Sequence, residues 1–195
     1  MNIEEAIKIL GEGFRFSMLD TNPVIQELNL PKNAKLLDVG TGKGTLAIML
    51  ALNGYEVITG EPKEDKTIYA NQDWLNNSKK VKVDHQITFQ SFDAKNTFFE
   101  TGFFDAVFAQ GSLHHIDEDD RVKVIREFER ITKPDGLFCF FEPNRQTIDT
   151  LRIEDPTHPD GADPIKYLQN PELTYRIIKG TRFDAFIINK KGKSK

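Results

Sequence analysis

Residues 36–44, L-L-D-V-G-T-G-K-G, limit what this chain can fold into more than any other stretch, because a short apolar run turns abruptly into glycines at alternate positions. Leu36, Leu37 and Val39 make an apolar run too short for a helix and bounded by turn residues, which predicts a buried strand. Gly40, Gly42 and Gly44 admit backbone angles closed to other residues, and without side chains they let a ligand lie against the main chain. Residues 45–52 follow as an apolar, helix-favouring run, so the amides of that helix's first turn point back at whatever occupies the glycine turn. A phosphate-cradling P-loop needs Gly-Lys followed by Ser or Thr, whereas Lys43 precedes Gly44, so that option fails. A dinucleotide fingerprint, G-x-G-x-x-G, would place its third glycine at Thr45, which weakens that option without excluding it.

The remaining pattern is an acidic residue followed by G-x-G-x-G, here Asp38-Val39-Gly40-Thr41-Gly42-Lys43-Gly44. It resembles the first motif of class I S-adenosylmethionine (SAM) dependent methyltransferases. The resemblance implies that Asp38, Gly40, Thr41, Gly42 and Gly44 belong to the seat of the cofactor's methionine end. Downstream, residues 55–59 (Y-E-V-I-T) read as a second strand stopped by Gly60, with Glu61 and Pro62 at its tip. In a right-handed parallel sheet the first and second strand tips are adjacent, so Glu61 is expected beside the glycine turn, where a carboxylate accepts both hydroxyl protons of a ribose. Glu61 alone does not choose between NAD and SAM. Residues 87–92 alternate as a third strand closed by Asp93; Asp93-Ala94 is similar to the family's adenine site, with a capping aspartate as the rival explanation. Residues 104–116, F-D-A-V-F-A-Q-G-S-L-H-H-I, are similar to the fourth strand and following loop of small-molecule methyltransferases, and Gln110 at that strand end is expected near the methionine portion.

The rest of the chain is read from periodicity and punctuation. Residues 3–10 carry a one-faced helix broken by Gly11 and Gly13; 14–19 show neither period; a short helix starts at Asn22-Pro23 and ends before Pro31. This N-terminal part is expected to cap the sheet or cover the cofactor. Residues 63–77 read as a polar helix, 117–132 as a helix with Val122, Ile125, Phe128, Glu129 and Ile131 inward, and 137–141 as a fully buried strand. Residues 133–136 are expected to end the helix before that strand. After a short helix at 145–154 and an irregular Pro- and Gly-rich stretch at 155–164, residues 173–179 and 183–189 read as a terminal strand pair. The expected fold is α/β: a doubly wound, mostly parallel seven-stranded sheet with an antiparallel last strand and helices on both faces. It forms one domain over 1–195, with a helical cap (1–33), a cofactor-binding core (34–144) and a substrate-side segment with the terminal strands (145–195).

Composition bounds the partners. A net charge of −4 argues against a protein whose main partner is a phosphate backbone, and no apolar run is long enough to span a bilayer. The acidic N-terminus lacks a signal-peptide pattern, so a cytoplasmic location is expected, and Cys139 lies in an apolar run as a buried structural thiol. The resemblance implies SAM as cofactor and a small-molecule methyl acceptor, with no nucleic acid and no membrane. Methyl transfer asks the protein mainly for alignment; a base is useful only where the acceptor must lose a proton, and His114 or His115 are the candidates. No metal is expected, because adjacent histidines diverge on a strand and Asp117 to Asp120 more simply charge the next helix's first turn. An NAD-dependent oxidoreductase and a non-catalytic SAM-binding protein remain the alternatives.

Overall fold

Leu36–Val39 (β1) is buried at all four positions, the mark of a strand covered on both faces. It pairs in parallel with Val57–Gly60 (β2) on one side and Phe104–Gln110 (β4) on the other. The computed structural model describes residues 1–64, 69–70 and 72–190. Within them the sheet has seven strands in the order β3-β2-β1-β4-β5-β7-β6, with Ile87–Phe89 as β3, Thr132–Pro143 as β5, Thr174–Ile178 as β6 and Phe183–Asn189 as β7. Strands β1 to β5 run parallel, and β7 lies antiparallel between β5 and β6. From β1 the winding goes outward to β3 and then resumes at β4 on the opposite flank. Loops leaving β1 and β4 therefore part in opposite directions, which opens a crevice at their carboxyl ends.

Two apolar layers sandwich the sheet. Ile3–Leu10 (α1), Glu12–Leu28 (α2) and Thr45–Leu52 (α3) cover one face, burying Ala6, Met18, Ile25, Ile48 and Met49 against Phe108 and Phe141. Glu118–Ile131 (α5) covers the other, with Ile125 and Phe128 against Val107, Phe138 and Phe140. Phe108, Phe128, Phe138, Phe140 and Phe141 are fully buried; truncating any one to Ala leaves a void costing about 3–5 kcal/mol. Two further helices, Trp74–Lys80 (α4) and Arg145–Glu154 (α6), complete the secondary structure that positions the crevice.

The fold class is as expected, and several element boundaries are corrected. Only Gly11, at φ +85°, breaks the N-terminal helix; α2 then runs unbroken through Gly13 and Pro23. Burial of Phe14, Met18, Val24 and Ile25 on its inner face outweighs the lost backbone donor at Pro23. The helix expected over 63–77 is in fact α4, N-capped by the Asp73 carboxylate; residues 65–68 and 71 of that range lie outside the described residues. In α5, Val124 and Glu127 are buried where Val122 and Glu129 were expected, because Glu127 turns in to accept hydrogen bonds from Thr97 and Arg130. Residues 133–136, expected to stop that helix, instead lie inside β5, where the register slips between Phe104 and Ala106.

A buried polar chain ties the tips of β1 and β2 together. The Thr59 hydroxyl donates to Asp38 Oδ2 (2.8 Å), so its own oxygen accepts from the Thr41 hydroxyl at 2.9 Å. Asp38 is 1% exposed, and its Oδ1 has no partner among the described residues. Burial pushes its carboxyl up to about 8, with the Glu61 charge adding to the rise and the Thr59 hydrogen bond opposing it. A raised acid binds its proton more tightly folded than unfolded, so the folded state loses stability as pH rises from about 4 toward 8. We expect Asp38→Asn to remove that component. Denaturant unfolding between pH 5 and 8 should show a wild-type decline of up to about 1.4 kcal/mol per pH unit relative to the variant.

Candidate functional site

The glycine turn is shaped by what each missing Cβ would meet. Gly40, Gly42 and Gly44 have φ of +95°, +46° and +78°. A Cβ on Gly40 would lie 3.0 Å from Ser112 Cβ, one on Gly42 3.2 Å from the Tyr69 carbonyl oxygen, and one on Gly44 3.0 Å from Trp74 Cβ. Substitution there is strained twice, by the backbone and by the neighbour. The Gly40 N–H donates to the Gly60 carbonyl, and Gly44 stands at the N-cap of α3, so the turn is clamped between β2 and that helix.

Successive strand tips then line one cavity of about 490 Å³. Gly40, Thr41 and Gly42 come from the β1 turn, Glu61 and Pro62 from the tip of β2, Asp93 and Ala94 from beyond β3, and Gln110 from the end of β4. Glu61 is buried and its Oε2 accepts the Gly42 N–H at 2.8 Å, which puts its carboxylate beside the turn as expected. Asp93 Oδ1 accepts the Lys95 N–H at 2.9 Å, so it caps a tight turn rather than a helix while facing the cavity. Gln110 donates from Nε2 to the Ser17 carbonyl of α2 at 3.2 Å, joining the N-terminal helices to the cavity rim, where Ser17 itself lines the wall. Two expected contacts are corrected. Asp38 lies behind the turn as its brace, and Gly44 shapes the backbone against Trp74; neither lines the cavity.

The two histidines after β4 have different environments. Leu113–His115 form a single 3-10 turn rather than a strand, and this puts the two rings on one side, with centroids 4.1 Å apart. The expectation that adjacent histidines diverge assumed strand geometry and is corrected. His115 is exposed and lines the cavity beside Tyr69, whose tilted ring lies 4.6 Å from it, centroid to centroid. His114 is buried behind it, with Nδ1 2.8 Å from Glu142 Oε2. Glu142 lies near the end of the buried run of β5 and also accepts the N–H groups of Leu113 (3.0 Å) and Ala162 (3.4 Å).

Sequence reasoning missed Glu142, Tyr69 and His158 as site residues. A carboxylate at the tip of an all-apolar strand was a readable signal for Glu142. For His158 nothing local signalled a role, because only the path of the 155–164 loop back across the strand ends brings its ring 5.2 Å from His114 and 5.1 Å from His115. That loop is pinned by Gly161, where a Cβ would meet the Pro143 carbonyl oxygen at 2.3 Å.

The residues present fit SAM. The cavity size suits a cofactor of that class, glycines Gly40 and Gly42 leave main chain open to it, and carboxylates stand at the tips of β2 and beyond β3. Comparisons with known proteins agree. Residues 37–140 match the family model described as "Methyltransferase domain". The chain is 34% identical over 109 residues to 27-O-demethylrifamycin SV methyltransferase of Amycolatopsis mediterranei (strain S699), a match covering 56% of this chain and 38% of the relative. It is 28% identical over 173 residues to YqeM of Bacillus subtilis (strain 168), named as a methyltransferase, covering 82% of this chain and 67% of the relative. The match thus spans little more than a third of one of these relatives and about two thirds of the other. In fold it is similar to the PH0226 protein of Pyrococcus horikoshii OT3, with a TM-score of 0.70, 21% identity, and 94% and 93% of the two chains covered. With its glycine turn, its strand-tip carboxylates and a family match running from β1 into β5, the chain belongs to the class I SAM-dependent methyltransferases.

Proposed function

We propose that this chain transfers a methyl group from SAM to a small-molecule acceptor by in-line displacement. One observation carries the reading: the cofactor-end residues Gly40, Gly42, Glu61 and Asp93 and a second set, Tyr69, His115 and Phe183, line the same cavity. A cavity of about 490 Å³ has room for a cofactor with a small partner beside it. The relative named for 27-O-demethylrifamycin SV acts, by its name, on a small molecule, which supports the same acceptor class here.

When bound, SAM supplies an electrophilic methyl group on a sulfonium, so the chain's task is mainly alignment and exclusion of water. Glu61 would accept from the ribose hydroxyls, Asp93 with Ala94 would hold the adenine, and the bare backbone at Gly40 and Gly42 would seat the methionine end. Gln110 donates to the Ser17 carbonyl, which ties α2 to the cavity wall. For an acceptor that must lose a proton, His115 is the imidazole on the wall to receive it, while His114 is withdrawn behind it on Glu142. The net charge of −4 supports an acceptor other than nucleic acid.

Two measurements test this. Calorimetric titration with SAM should give binding to the wild type that Glu61→Ala weakens about 10- to 100-fold, the cost of losing charge-assisted hydrogen bonds; a folded wild type that does not bind SAM would overturn the proposal. Incubation with SAM and pooled metabolites should yield S-adenosylhomocysteine. His115→Ala should slow that turnover about 100-fold for a protonated acceptor while leaving SAM affinity within about twofold.

A further inference from the structure

Three of the chain's four histidines, from two separate segments, converge beside the cavity, which His115 lines. One ring nitrogen each of His114, His115 and His158 lies within 4.8 Å of one from each of the others. The two buried rings are held in one tautomer. His114 Nδ1 is 2.8 Å from Glu142 Oε2, and a carboxylate only accepts, so Nδ1 carries the hydrogen and Nε2 the lone pair. His158 Nδ1 is 3.0 Å from the Pro159 carbonyl oxygen, which likewise only accepts and leaves the lone pair on Nε2. His114 Nε2 is buried and has no hydrogen-bond partner among the described residues. A buried imidazole lone pair with no donor costs free energy, and a cation would satisfy it.

We propose that His114, His115 and His158 bind a divalent transition-metal ion of the zinc class, with Glu142 and the Pro159 carbonyl orienting the two buried ligands. A histidine donating its other ring N–H to a carboxylate or a backbone carbonyl is the arrangement that aligns metal ligands and raises their basicity. Three imidazoles suit zinc and its neighbours rather than magnesium or calcium, which take oxygen ligands. Tetrahedral bonds of about 2.1 Å put ligand nitrogens roughly 3.4 Å apart, so separations of up to 4.8 Å close by up to about 1.4 Å around the ion.

Three protein ligands leave a fourth position, and His115 is the member of the cluster that lines the cavity. There the ion would take a lone pair from the acceptor's oxygen, nitrogen or sulfur and ease loss of its proton to solvent, in place of the His115 ring. This part rests on the proposed methyl transfer; ion binding by itself does not.

The test uses the full-length chain, stripped with a chelator and titrated with Zn²⁺ by calorimetry and with Co²⁺ by visible absorption. The expected result is one equivalent of Zn²⁺ and the intense visible bands of tetrahedral Co²⁺. His115→Ala, an exposed change that spares the core, and His158→Gln should each abolish the Co²⁺ bands. Glu142→Gln should weaken Zn²⁺ binding about 10- to 100-fold. His85→Ala, an exposed residue of the separate 84–86 turn, should bind as the wild type does. SAM titration of the same preparations separates the two proposals. Protein that binds SAM but not Zn²⁺ overturns the metal site alone, and protein that binds Zn²⁺ but not SAM overturns the methyl-transfer reading alone. Zn²⁺ binding undiminished by His115→Ala also overturns the site, marking the ion as adventitious.

Discussion

Between Val39 and Thr45 the chain passes from a buried strand into a buried helix with Gly40, Gly42 and Gly44 all at positive φ, each against a neighbour that leaves little space for a side chain. The rest of the site depends on that turn keeping its shape. Its brace lies underneath: Thr41, Thr59 and Asp38 form a buried chain of hydrogen bonds from the turn, through the end of β2, to β1. On the cavity side the Gly42 N–H is held by Glu61 Oε2. The carboxylate expected to meet a ribose therefore also orders the turn beside it.

The sheet order supplies the space that the turn faces. Because the winding reverses between β1 and β4, their following loops diverge, and the cavity occupies the gap. Residues from the tips of β1, β2 and beyond β3 line one end of it in chain order. The other end is assembled from remote pieces: Ser17 on α2, Tyr69, the 3-10 turn at Leu113–His115, and Phe183 at the start of β7. Asp20 of α2 accepts the N–H groups of Thr181, Arg182 and Phe183, so the N-terminal helix and the terminal hairpin reach the cavity as one unit.

Much of the fold was legible because its signals are local. β1, α3, β4, α6 and β7 lie within a residue or so of where apolar periodicity and turn residues put them. The misplaced boundaries are those where packing overrode a local rule. Pro23 sits inside α2 because the inner face of that helix is buried; residues 133–136 join β5 because pairing with β4 admits an irregular register. At the site, Gly40, Thr41, Gly42, Glu61, Pro62, Asp93, Ala94, Gln110 and His115 line the cavity, whereas Asp38, Gly44 and His114 stand behind it.

By itself the sequence determined the strand, glycine turn and helix, the succession of strand tips that follow, and hence the family. Those features depend on backbone freedom and on hydrophobic period, which neighbouring residues set. Only the tertiary structure decided which side chains face the cavity and which support it, and that His158 joins His114 and His115 across the sheet's end. A buried carboxylate at Glu142 and a loop closing over Gly161 achieve this through contacts between segments far apart in the chain, and such contacts leave no periodic mark in the sequence.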